Sequence, residues 1–211
     1  NHGKSDASWD MWDVDENADV MISILKELGI SSCNIVGWSM GSAVAMSIAK
    51  KNKPLVNKLV LITPFSWLGG AVYSDKVAFK IFVSFVRIRE RLFPNFNPKS
   101  KFSFLKKSNS INDEYTEWAW NNLHKSKDDF IYADGGRFVV PYDARPWIQE
   151  IEAETLVITG GRDKLVPEET SNDVVKRLNE VKVKTFPDAG HSVPWTHEED
   201  LLTELREFFS L

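Results

Sequence analysis

The chain has 211 residues, of which 43% are hydrophobic and 27% charged, with a formal net charge of −4. Such a composition is ordinary for one globular domain, or for a domain carrying an insertion. The slight acidity leaves no footprint for nucleic acid. No apolar run approaches the roughly 18 residues that span a bilayer. The one cysteine, Cys33, allows neither an internal disulfide nor a cysteine-rich metal site, and the absence of such features points to a reducing, cytoplasmic compartment. The first residues, Asn1-His2-Gly3-Lys4, show no initiator methionine and no signal-peptide pattern, so a fragment or a processed chain is expected.

Taken in chain order, residues 16–28 place Val20, Ile24, Leu25 and Leu28 at helical spacing, and Gly29 ends that helix. Residues 33–38 read as a buried strand. Residues 40–51, small and apolar and then basic, read as a helix whose cationic end lies at its C-terminus. Buried strands follow at 58–63, stopped by Pro64, at 155–160 and at 181–186. Helices are expected at about 167–178 and 197–209. Buried strands alternating with helices predict an α/β fold, a mostly parallel sheet with flanking helices. Residues 66–147 break the rhythm. They are aromatic-rich and helical in pattern, and are expected to form a helical cap inserted between core segments 1–65 and 148–211.

The junction of the first strand and the second helix carries Gly37-Trp38-Ser39-Met40-Gly41. A strand that turns sharply into a helix needs tiny neighbours if a serine hydroxyl is to project at the top of the sheet, which is the logic of the G-x-S-x-G elbow. The N-terminus of the following helix favours an oxyanion. A serine nucleophile needs a base, and the base an orienting acid. Asp163 follows the strand 155–160, and His191 follows the strand 181–186. Both therefore fall past the C-terminal ends of parallel strands, where ligands collect. Asp188 is a rival acid, but it lies in the same loop as His191. His2, His124 and His197 are expected in structural or solvated roles.

The stretches VGWSMGSAVAMSIA, TLVITGGRDKLVP and FPDAGHSVPWTHEE resemble the three signature regions of the α/β-hydrolase family, in its lidded esterase and C–C hydrolase branch. The resemblance implies Ser39 as nucleophile, His191 as general base and acid, and Asp163 as orienter. It implies the backbone N–H of Met40 as an oxyanion donor, and no cofactor or metal. Family members carry further strands before the loop with which this chain begins. Those strands hold the loop that gives a second oxyanion donor. Without that donor a loss of about 100- to 1000-fold in rate is expected, and a non-catalytic binding protein or inert fragment becomes the competing reading.

Trp38 and Met40 flank the serine and, with Trp195, are expected to line the substrate pocket. The stretch 75–107 is rich in lysine and arginine against only Asp75 and Glu90, with Lys76, Lys80, Arg87 and Arg91 on one helix face and apolar residues opposite. A basic lip of this kind suits an anionic substrate or an acidic acyl carrier protein. GWS-x-G and the basic cap resemble esterases that cleave pimeloyl methyl ester on such a carrier. GHSVPW is similar to the C–C hydrolases of aromatic degradation. The expected substrate is a small carboxylic ester or a related acyl compound.

Overall fold

The computed structural model describes residues 13–67, 88, 92, 142–166 and 168–211. Among them, β1 (Cys33–Trp38), β2 (Val56–Ile62), β3 (Glu154–Gly160) and β4 (Val181–Phe186) form one sheet in that order. Every pairing is parallel. Among the described residues the helices that accompany the sheet are α1 (Val14–Glu27), α2 (Met40–Lys51), α3 (Glu168–Arg177), α4 (Val193–Thr196) and α5 (Glu198–Phe209). Strand and helix positions follow the sequence reading to within a few residues. The short helix α4 was not expected.

The period-two alternation of strands divides the core into two layers. Leu59, Leu61 and Val157 face one side, where they pack with Ala18 of α1, Ala43 and Met46 of α2 and Val174 of α3. Val60, Ile62, Leu156 and Ile158 face the other, against Val193, Leu201 and Phe208 from α4 and α5. Helix α2 is buried almost all round, which its small residues allow. Helix α1 starts with a reciprocal cap. Asp13 accepts from the Glu16 N–H, and Glu16 accepts from the Asp13 N–H, each at 2.8 Å. The packed face of α1 is Val14, Ala18, Ile22 and Leu25. Ile24 and Leu28, on the stripe the sequence picked out with Val20, are exposed. The small Ala18 permits the close approach of α2 that the bulkier stripe would block.

The two edges of this sheet differ. β4 carries Lys182 and Lys184, charges that discourage pairing with another strand. β1 carries no charge, its Val36 is 48% exposed, and no described residue pairs with its outer edge.

The cap expected over 66–147, with its basic stretch, falls outside the described residues except at its ends and at Ile88 and Leu92. The two ends meet. Trp67 forms an antiparallel bridge with Asp143, and the Ala144 N–H donates to the Ser66 carbonyl at 2.8 Å. Arg145 grips the Asp143 carboxylate through Nε and Nη2 at 2.8 and 2.6 Å and lies over the Trp67 ring at 4.6 Å. That guanidinium holds the Asp143 carboxyl below the ordinary carboxylate range. Among the described residues no helix is long and apolar enough to cross a membrane.

Candidate active site

Trp38, Ile62, Ile158 and Lys184 lie in register across the sheet; β1 and β2 end at that level, and β3 and β4 run two residues further, to Gly160 and Phe186. Ser39 is the first residue beyond that level on β1. Its backbone sits at φ 53° and ψ −119°, a region that side-chain-bearing residues enter only at a cost. The strain is held from both sides. The Ser39 N–H donates to the Ile62 carbonyl at 2.9 Å. The Ser39 carbonyl accepts from the Ser42 N–H at 2.8 Å and from the Ser42 hydroxyl at 2.5 Å. The turn is tight enough that a Cβ on Gly37 would lie 2.4 Å from the Gly41 carbonyl oxygen. The Ser39 side chain makes no helix-capping bond, and its Oγ lies 2.8 Å from Nε2 of His191.

His191 and Asp163 arrive on two loops that touch through their main chains. A Cβ on Gly160 would lie 2.3 Å from the Gly190 carbonyl oxygen, so only glycine permits the approach. The Gly161 N–H donates to Phe186 and the Arg162 N–H to Ala189, both at 2.9 Å. Asp163 is thereby set beside His191, with Oδ2 2.8 Å from His191 Nδ1. Its other oxygen, Oδ1, accepts from the N–H groups of Leu165 and Val166 at 2.8 and 3.0 Å. The side chains of His191 and Asp163 are only 9% and 7% exposed. Asp163, His191 and Ser39 thus form one continuous chain of hydrogen bonds from a nearly buried carboxylate to a hydroxyl. With Nδ1 donating to the carboxylate, Nε2 is the acceptor for the serine proton.

Asp188, the rival acid, pairs elsewhere. Its Oδ1 lies 3.2 Å from Nε2 of His197. Its own backbone N–H, and then His197, hold its carboxyl below the ordinary value. His197 is not the solvated residue the sequence suggested. Its side chain is 16% exposed, and its ring lies 5.4 Å from that of Phe186. The signal available was that Phe186, Asp188 and His197 lie within one strand-loop-helix unit.

Met40 is half-buried, and its N–H opens α2, where the first N–H groups of a helix have no intrahelical acceptor. Trp38 and Trp195 lie together, ring centroids 4.5 Å apart and edge to face. Trp38 makes two contacts that sequence reasoning missed. Its indole N–H donates to the backbone carbonyl of His191 at 3.0 Å, and its ring lies 5.6 Å from the His191 imidazole. Thr63, one residue past β2, is also unusual. It has φ 46°, and its buried hydroxyl has no hydrogen-bond partner among the described residues. Among the described residues no cluster of three or more His, Cys, Asp or Glu is arranged to hold a metal ion.

The model of the alpha/beta hydrolase fold family matches residues 1–198. The chain is 26% identical over 194 residues to the 2-hydroxy-6-oxo-6-phenylhexa-2,4-dienoate hydrolase of Burkholderia cepacia, an alignment covering 87% of this chain and 64% of that protein. It is 25% identical over 194 residues to a 2-hydroxy-6-oxononadienedioate/2-hydroxy-6-oxononatrienedioate hydrolase of Comamonas testosteroni, with the same coverage. The chain therefore spans a little under two thirds of the length of these relatives. Among solved structures, an esterase from Exiguobacterium antarcticum superposes with a TM-score of 0.82 at 17% identity, over 100% of this chain and 78% of that one.

Proposed function

Because this chain belongs to the alpha/beta hydrolase fold family, we propose that it carries the nucleophile, base and acid of a serine hydrolase that cleaves a carboxylic ester or a related acyl bond. The observation that carries the reading is the unbroken hydrogen-bond chain from Asp163 through His191 to Ser39, ending on a serine held at φ 53°. In this reading Ser39 Oγ attacks the acyl carbon while Nε2 of His191 takes its proton. Asp163 keeps Nδ1–H oriented and offsets the imidazolium charge. The Met40 N–H faces the developing oxyanion. The intermediate collapses to an acyl-enzyme, and the leaving alcohol takes the proton from His191. Water, deprotonated by the same imidazole, then frees the acid. Every step uses groups of this chain and no cofactor.

A second reading has specific support. The Burkholderia and Comamonas relatives are named as hydrolases of 2-hydroxy-6-oxo dienoates, so cleavage of a C–C bond in a vinylogous diketone by the same three residues is the alternative. The acidic acyl carrier belongs to the ester reading as its partner, received at Arg87 and Arg91. The test is a fluorophosphonate probe with mass spectrometry, followed by a panel of neutral esters, carboxylated esters, a carrier-linked ester and a vinylogous diketone. Labelling confined to Ser39 and abolished in Ser39→Ala supports the assignment. Labelling that survives Ser39→Ala overturns it, and preference for the diketone moves the reading to C–C hydrolysis.

A further inference from the structure

We propose that Trp38 is a positioning residue for His191, rather than a wall of the substrate pocket. The proposal rests on the reading of His191 as the general base. Two hydrogen bonds fix the imidazole itself, one at each ring nitrogen. They do not fix the main chain from which the ring hangs, and His191 sits in a loop beyond β4. The main chain is held by Trp38, whose indole N–H reaches the His191 carbonyl at 3.0 Å. Trp38 is the last residue of β1 and the immediate neighbour of Ser39. The backbone of the nucleophile and that of the base are therefore tied together across 153 positions of sequence, by a route that does not pass through Asp163.

The indole does more than donate. Its ring stands 5.6 Å from the imidazole at an interplanar angle of 39°, and the Trp195 ring packs edge to face against it at 4.5 Å. The His191 ring thus lies beside an aromatic pair, and its side chain is only 9% exposed. Both contacts act on the base and on proton transfer, and neither requires a substrate in the pocket.

The test is Trp38→Phe, with a second variant in which residue 38 is benzothienylalanine, a tryptophan isostere with sulfur in place of the indole N–H. Two quantities are read: kcat and KM for a small neutral ester, and the rate constant for Ser39 phosphonylation. A lost positioning bond lowers kcat and phosphonylation together by about tenfold, the equivalent of about 1.4 kcal/mol of barrier. KM stays within about twofold of the parent value, because substrate binding is untouched. Unchanged kcat and phosphonylation, or a rise in KM alone, overturns the proposal and returns Trp38 to the pocket lining. If Trp38→Phe does not fold, the isostere decides by the same criteria. Nitrogen-15 NMR of the His191 ring gives a readout free of turnover. A mixture of tautomers in the variants supports the proposal, and the parent pattern retained in both overturns it. Loss of the hydrolase reading shows differently, as a parent protein that does not label at Ser39.

Discussion

Replacing Gly37 with alanine places a methyl carbon 2.4 Å from the Gly41 carbonyl oxygen and 2.8 Å from the Ser42 Cα. Ordinary contact begins at 3.4 Å, so the first clash alone demands a shift of 3.4 − 2.4 = 1.0 Å. Both obstructing atoms are backbone atoms of the first turn of α2. No side-chain rotation relieves them, and the turn must move bodily away from β1. Ser39 lies in that turn, so its Oγ moves relative to His191. Overpacking of this kind costs about 1–3 kcal/mol, and a misplacement of about 1 Å costs roughly 100-fold in rate. At about 2–4 °C per kcal/mol for a chain of this size, Tm falls by roughly 2–12 °C. Gly41→Ala is the comparison. Its Cβ meets no described atom within 4 Å, and an alanine within a helix is favoured over glycine by about 1 kcal/mol. Thermal denaturation and the phosphonylation rate of Ser39, measured on both variants, separate the two glycines of the motif. A Gly37→Ala protein with parental Tm and labelling rate would refute the steric reasoning.

Asp163→Asn keeps the acceptor for the Leu165 and Val166 N–H groups but presents the wrong partner to His191. Turnover should fall by about 10⁴-fold with little change in Tm, whereas Asp188→Asn should leave turnover within a small factor, and the reverse result would exchange their roles. Asp143 has its carboxyl held low by Arg145, so the pair contributes stability above the ordinary carboxylate pKa and loses it as pH falls through the lower folded value. Acid unfolding followed by circular dichroism should therefore be less steep in Asp143→Asn. Thr63→Val removes a buried hydroxyl that lacks a partner among the described residues at nearly constant shape. A gain of about 1 kcal/mol is expected, and a lowered Tm would show that the hydroxyl is satisfied in solution.

The strands were legible because parallel-sheet strands are short runs stopped by Gly or Pro, as at Pro64, Gly161 and Pro187. That Ser39, Asp163 and His191 would come close together was legible for a related reason, since each follows such a run, and the fold gathers strand ends at one edge. The role of Trp38 left no local trace. An indole bonded to a backbone carbonyl far along the chain looks like any aromatic on a strand. Nor could spacing assign Asp188, because two carboxylates and two imidazoles fall close together in sequence. Only the loop geometry pairs Asp163 with His191 and Asp188 with His197. The exposed face of α1 was misleading because Val20, Ile24 and Leu28 have good helical spacing. What decides the buried face is the size of Ala18 against α2, not hydrophobicity alone.

The contact between the loops after β3 and β4 is made of peptide groups, with Gly160 against Gly190 and the N–H groups of Gly161, Arg162 and Ala189 on opposing or neighbouring carbonyls. Such a seam has little room to open halfway. Prising one loop away strips the other of its acceptors, so the two should open together as a single local unit. In deuterated water the amides of Gly161 and Arg162, whose bonds cross the seam, should then exchange at a shared rate. Asp163 and His191 would move in the same event, so partial local opening breaks the whole hydrogen-bond chain to Ser39 at once instead of loosening one link of it.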